Sequence, residues 1–136
     1  MDPVVHFEMA AEDTKRMADF YMHAFGWKTK MLGEEMGHYV LASTTETDEN
    51  GFPTTLGKIN GGFYPKIEDG SPQYPSVVIS VDDIKDSMMK ITEAGGKILG
   101  EPMEIPGFGI YISFNDTEGN RVGVMEPTRE MKEKTQ

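Results

Sequence analysis

The chain has 136 residues, a formal net charge of −10, 38% hydrophobic residues and no cysteine. That length suffices for one domain with a buried core, and the missing cysteines exclude disulfides, thiolate metal sites and a cysteine nucleophile. The acidic balance argues against nucleic acid and anionic membrane surfaces, since binding to phosphate relies on lysine and arginine, and no apolar run approaches the roughly 20 residues of a membrane span. The opening MDPVVHFEM carries neither the basic region nor the apolar core of a secretory signal, so the expected location is cytoplasmic.

Val4 to Ala10 alternates as a strand, with Val5, Phe7 and Met9 on one face and His6 and Glu8 on the other. A helix follows, with Met17, Phe20, Tyr21, Ala24 and Phe25 at amphipathic spacing, Asp13 or Thr14 able to cap its start and Gly26 its end. WKTKMLG and GHYVLASTTE read as strands joined by a turn near Glu34–Gly37, TDENGFPTT as a polar loop, and GKINGGFY as a glycine-rich fourth strand. PKIEDGSPQYP, with three prolines, reads as a linker. The pattern then restarts: SVVISV as a strand, DDIKDSMMKITEAGG as a helix with Ile84, Met88 and Ile91 inward, and KILGEPMEI, GIYISFND and NRVGVMEP as three more strands. TREMKEKTQ is polar and predicts a frayed helix or disorder.

The two halves share one order of elements, strand, helix, then three strands, and Asp13 precedes Gly26 by the interval that separates Asp83 from Gly96. The prediction is an α+β domain over 1–136 made of two βαβββ modules, about 4–64 and 76–127, with a linker at about 65–75 and a polar tail at 128–136. Such modules fit a curved mixed sheet around a cleft, with a helix on the convex side of each. An unrelated α+β sandwich is the alternative.

VHFEMAAEDTKRMADFYMHAFGW, SVVISVDDI and FNDTEGNRVGVMEP carry a further signal. They resemble the opening, the second-module strand and the closing hairpin of the vicinal oxygen chelate superfamily, which includes glyoxalase I, extradiol dioxygenases and bleomycin-resistance proteins. Thr117 stands where the family's closing turn usually has proline. The resemblance implies a divalent metal held by His and Glu side chains. Laid on this chain, the family's ligand positions fall at His6, at Asn60 or Gly62, at Ser76 and at Gly123. One imidazole cannot hold a cation that wants several converging imidazole or carboxylate ligands. Even with Glu8 two residues away, the set stays short, so the expectation is no metal and no cofactor. His23 and His38 lack ligand spacing to His6.

By parity the cleft face carries His6, Glu8, Asn60, Gly62, Ser76, Tyr111, Ser113, Arg121, Gly123 and Met125, the mixed lining of a small-molecule site. His6 and Glu8 are the catalytic candidates, read either as a general base whose basicity the carboxylate raises or as a structural histidine in a cleft. Gly61, Gly62 and Gly123 read either as bulges that curve the sheet or as places where a flat ligand approaches the backbone. No nucleophile elbow or phosphate loop is present. The leading reading is a metal-free protein that sequesters a small aromatic or polycyclic molecule, in the manner of bleomycin-resistance proteins. The resemblance also implies a homodimer. The alternatives are a metal-dependent lyase, isomerase or dioxygenase of the glyoxalase type, and an interaction module with a vestigial cup.

Overall fold

The computed structural model describes residues 1–128; the remainder of the polar tail lies outside the described residues. The first module runs β1 (Val4–Ala11), α1 (Thr14–Phe25), β2 (Lys28–Met31), a single 3-10 turn (Glu34–Met36), β3 (Val40–Ser43) and β4 (Asn60–Pro65). The second runs β5 (Ser76–Ser80), α2 (Ile84–Glu93), β6 (Lys97–Ile105), β7 (Gly109–Asn115) and β8 (Arg121–Pro127). These are the two βαβββ modules of an α+β protein. By contacts the chain divides into two compact units, His6–Pro75, and Met1–Val5 together with Ser76 onward. The first residues are tied into the second unit by the Ser80 N–H, which donates to the Pro3 carbonyl at 3.0 Å.

Each module has the same pairing. In the first, β1 lies parallel to β4, and β3 is antiparallel to both β4 and β2. In the second, β5 lies parallel to β8, and β7 is antiparallel to both β8 and β6. In each module the helix and the two strands after it make up the long connection that a parallel strand pair requires. Both helices start on an aspartate in extended conformation: Asp13 accepts from the Arg16 N–H and Asp83 from the Asp86 N–H, satisfying one orphan donor of each first turn.

Strand alternation puts one face of each sheet against its helix. In the first module Ala11, Ala18, Val40, Ala42 and Phe63 are buried, with Phe7, Met9, Met17, Tyr21 and Trp27 packed around them. Tyr21 stacks on Trp27 at 4.5 Å and meets Phe63 at 5.5 Å. In the second, Val81, Ile84, Ile112 and Val124 are buried beneath Ile79, Met88, Ile91, Ile98, Ile110 and Phe114. Ile84, Met88 and Ile91 thus face inward as the helical spacing requires.

Two sequence expectations shift. The stripe read on α1 included Phe20 and Phe25, yet these are 58% and 66% exposed, and Ala18 faces the sheet instead. Trp27 and Phe63 already fill the space beside Tyr21, so the helix turns a small residue inward and leaves Phe20 edge-on to Tyr21 at 5.0 Å. The helix ends also break the repeat. Gly26 is left-handed (φ 75°) and closes α1, whereas in the second half the left-handed residue is Gly95 (φ 100°), not Gly96. Gly96 is small for another reason: a Cβ there would come within 2.7 Å of the Ile91 side chain and 3.1 Å of the Asn115 carbonyl.

Among the described residues no helix is long and apolar enough to cross a membrane. The packing makes a direct prediction. Truncating fully buried Phe63 to alanine should cost about 3–5 kcal/mol and Ile112→Ala about 2–5 kcal/mol in urea unfolding, while exposed Phe20→Ala should cost about 1 kcal/mol or less.

Candidate functional site

The face of each sheet turned away from its helix is where the candidate residues fall. His6 is half-buried on β1, and its Nε2 lies 2.9 Å from the Tyr39 hydroxyl. Its ring lies nearly parallel to those of Tyr39 and Phe7, at 22° in both cases. Burial pushes the His6 pKa down from 6.5 to about 4, because an imidazolium is poorly solvated there. With that shift the ring is neutral at physiological pH, which favours the structural histidine of the two alternatives over a base strengthened by Glu8. Glu8, also half-buried, sits two residues along the same strand and pairs directly with Gly62 on β4.

Strand pairing fixes how the halves correspond. Glu8 faces Gly62 as Val78 faces Gly123, so His6 corresponds to Ser76 and Asn60 to Arg121. Leu41 faces Gly62 as Ser113 faces Gly123, so Tyr39 corresponds to Tyr111, each two residues before the glycine's direct partner. Of the two registers left open above, Gly62 is therefore the counterpart of Gly123. Asn60 has a different task. Its side-chain oxygen accepts from the Thr44 N–H at 3.0 Å, and its amide group donates to Thr47 Oγ1 and the Gly51 carbonyl, clamping the loop between β3 and β4.

The glycines are not bulges. Register runs unbroken through Gly61 and Gly62 on β4 and through Gly123 on β8; the one shift is between Leu99 and Met103 on β6. Nor are they open to a flat ligand. A Cβ on Gly62 would overlap the ring and hydroxyl of Tyr39, and one on Gly61 would overlap the Phe7 ring, so both faces of this stretch of β4 are covered by the chain's own aromatics. A Cβ on Gly123 would stand 2.5 Å from the Tyr111 hydroxyl and 2.8 Å from its ring. Beside it, the buried Ser113 hydroxyl donates to the Tyr111 hydroxyl at 3.4 Å.

Of the remaining candidates, Met125 pairs with Tyr111 on β7 and with Ser80 on β5 and is half-buried. Ser76 opens β5, and Arg121 is exposed at the start of β8 opposite Asn115. The structure thus joins His6 to Tyr39 in one module and Tyr111, Ser113 and Gly123 in the other. Tyr39 was missed by the sequence reading. Its signal was available: Val40 and Ala42 belong to the helix-facing set, so Tyr39 must point to the face of His6. An open depression of about 490 Å³ lies elsewhere, over Lys85, Met88, Met89, Thr92, Glu93 and Ile98, and includes no candidate residue.

The metal implied by the resemblance does not fit these residues. Of the ligand positions, His6 alone carries a metal-binding side chain, and Gly62 and Gly123 offer none. Among the described residues no three of His, Cys, Asp and Glu come together as a metal-binding group.

Residues 4–124 match the Glyoxalase/Bleomycin resistance protein/Dioxygenase superfamily, and the chain belongs to that family. It is 30% identical over 114 residues to a glyoxylase-like domain-containing protein of Didymella fabae, a match covering 83% of this chain and 84% of that one. It is 26% identical over 133 residues to the anthracycline biosynthesis protein DnrV of Streptomyces peucetius, with 88% of this chain matched but only 47% of DnrV, so it spans about half that relative's length. Among solved structures, methylmalonyl-CoA epimerase in complex with methylmalonyl-CoA and NH4+ superposes with a TM-score of 0.67 at 16% identity, covering 95% of this chain and 96% of the epimerase. At that identity the likeness is one of fold.

The burial of His6 has a pH consequence. Above pH 6.5 the ring is neutral in both folded and unfolded chains. As pH falls from 6.5 towards 4, the unfolded chain takes up a proton that the folded one resists, so stability declines across that window and the loss levels off below it. The decline attributable to His6 should reach at most roughly 3 kcal/mol. It should appear as the difference between the urea midpoints of wild type and His6→Gln followed over pH; parallel profiles would contradict it.

Proposed function

We propose that this protein is a metal-free small-molecule binding member of its superfamily, of the sequestration or resistance type, acting as a homodimer in the cytoplasm. One observation carries the reading. The family's ligand positions hold a single imidazole, His6, and its Nε2 is already bonded to the Tyr39 hydroxyl. What the sheet faces offer instead is His6 and Tyr39 in one module and Tyr111, Ser113 and Met125 in the other, in each case neutral hydrogen-bonding groups and apolar surface suited to orienting an organic ligand. The relation to an anthracycline biosynthesis protein supports polycyclic aromatics as the ligand class. A metal-dependent lyase, isomerase or dioxygenase is the second reading, kept by family membership alone.

Protein purified without chelator should hold well under one equivalent of zinc, nickel, cobalt, iron or manganese by elemental analysis. Turnover of the methylglyoxal–glutathione hemithioacetal should stay far below ordinary enzyme rates of about 1–10³ per second, with or without added metal. Calorimetric titration with an anthracycline aglycone should give saturable binding, weakened by Tyr111→Phe. Stoichiometric metal that is lost on His6→Ala would establish the second reading instead. Light scattering of the eluted protein checks the dimer.

A further inference from the structure

The sequence has two Asn–Gly junctions, Asn50–Gly51 and Asn60–Gly61. Such a junction can rearrange without an enzyme. The glycine nitrogen gives up its proton to solvent and attacks the asparagine side-chain carbonyl carbon, Cγ. A C–N bond forms, the side-chain nitrogen takes up a proton and leaves as ammonia, and a five-membered succinimide remains. Water then opens the ring. Cleavage at Cγ gives aspartate. Cleavage at the main-chain carbonyl gives isoaspartate, in which the chain runs through Cγ and is one carbon longer. No electron is transferred; water is taken up and ammonia released. Glycine favours the step because it has no Cβ beside the nitrogen and a wide choice of backbone angles. The two junctions are equivalent in sequence and very different in structure.

Asn60–Gly61 is locked. The Asn60 side chain accepts from the Thr44 N–H and donates to Thr47 Oγ1 and the Gly51 carbonyl. Gly61 is buried, pairs with Phe7 on β1 and Ala42 on β3, and is covered by the Phe7 ring. For Cγ of Asn60 to meet the Gly61 nitrogen, the clamp must break and β4 must part from its neighbours. Asn50 lies instead at the tip of a narrow hairpin within the β3–β4 loop. Thr47 pairs there with Pro53, and the Asp48 N–H donates to the Phe52 carbonyl at 2.8 Å. Asn50 is exposed, and its side-chain amide makes no hydrogen bond among the described residues. Gly51 is exposed as well, with φ 90° and nothing within 4 Å of where a Cβ would stand. A single bond, from the Gly51 N–H to the Asp48 carbonyl at 3.0 Å, holds the attacking nitrogen. Opening one exposed turn costs far less than unpairing a strand bonded on both sides.

We propose that Asn50 is a spontaneous modification site, converted to aspartate and isoaspartate through a succinimide with Gly51, and that the isoaspartate form releases the clamp beside His6. The Gly51 carbonyl that accepts from Asn60 directly follows the rearranged bond. An added main-chain carbon displaces that carbonyl, and the new carboxylate joins those of Asp48 and Glu49. Asn60, which pairs with His6 across the β1–β4 ladder, then loses one of its partners. A change at an exposed loop tip thus reaches the edge of the candidate site in two steps, whatever that site binds.

The test is incubation of the full chain in mildly alkaline buffer, folded and in urea, followed by peptide mapping by mass spectrometry and enzymatic methylation of isoaspartate. In the folded chain Asn50 should convert roughly tenfold or more faster than Asn60, and in urea the two rates should converge. Asn50→Gln should remove the early conversion, since glutamine closes the analogous larger ring far more slowly. Equal rates in the folded chain, faster conversion at Asn60, or an intact Asn50 over the time in which both react in urea would each overturn the site. The release of the clamp is read separately, by hydrogen exchange on the isoaspartate form isolated by anion exchange. The Thr44 amide, which donates to Asn60 Oδ1, should exchange several-fold faster there than in wild type. Asn50→Asp gains the charge without the longer chain and should stay near wild type. Unchanged exchange in the isoaspartate form would refute the release, and equally fast exchange in Asn50→Asp would refute the lengthened chain as its cause.

Discussion

An aromatic ring resting directly on a bare strand backbone is the contact on which the site-bearing side of each module depends. At most strand positions a side chain stands between backbone and neighbour. At Gly61, Gly62 and Gly123 nothing does, and Phe7, Tyr39 and Tyr111 come down into the gap. On the helix side, the Phe7 ring over Gly61 lets Trp27 approach it at 5.6 Å and so reaches the cluster that seats α1. On the other side, Tyr39 over Gly62 brings its hydroxyl to His6. One short glycine pair thereby sets both the depth of the core and the state of the only histidine among the candidates. Interiors packed at crystal-like density have no slack for an added methyl group at such points.

The fold was legible because the signals that define it are local. Asp13 and Asp83 are both N-caps, Val40 and Ala42 alternate with Tyr39 and Leu41, and Ile110, Ile112 and Phe114 alternate with Tyr111 and Ser113. Alternation assigns faces whatever the residues are. Where the reading slipped, the decision was tertiary. Nothing local to α1 says that Trp27 and Phe63 will crowd Tyr21 and turn Ala18 inward. Nothing local to Gly95–Gly96 says which of the two takes the left-handed position, because both can; that Gly96 has no room for a Cβ beside Ile91 and the Asn115 carbonyl is likewise a tertiary fact.

The candidate site was legible in part, for the same reason. His6, Glu8, Tyr111 and Ser113 follow from parity alone. Asn60 shares that parity, yet its amide is fully engaged in holding the loop from Thr44 to Gly51, a long-range fact that alternation cannot supply. The glycines were ambiguous in principle. A strand glycine marks a bulge, a ligand's approach or a neighbour's approach, and the three are told apart only by what lies above it. Tyr39 is the residue whose omission cost most, since it decides both what Gly62 is for and what His6 bonds to. The structure's repeat would have exposed it, but the sequence alone, without strand register, does not reveal that Tyr39 and Tyr111 are equivalent.

Charge completes the picture of what such a face can hold. A metal centre concentrates ionised carboxylates around a cation, and this chain has acidic residues to spare, 23 against 13 basic ones. Yet the candidate groups are, in the first module, a neutral imidazole and a phenol with the Glu8 carboxylate on the same strand as the imidazole and, in the second, a phenol and a serine hydroxyl. The neutral groups can donate and accept hydrogen bonds, and Glu8 is the single carboxylate among the candidate residues. A surrounding field of net −10 disfavours anions approaching from solvent. On the reading proposed above, the ligand is therefore uncharged or cationic, recognised by ring surface and hydrogen bonds. A polyphosphate-bearing thioester such as the ligand of the structurally similar epimerase would need positive side chains, and of the candidate residues Arg121 alone carries a positive charge, at the exposed end of β8. Sharing a fold with that epimerase is thus compatible with binding a chemically opposite class of molecule, because the fold fixes where side chains point and leaves their charge to the sequence.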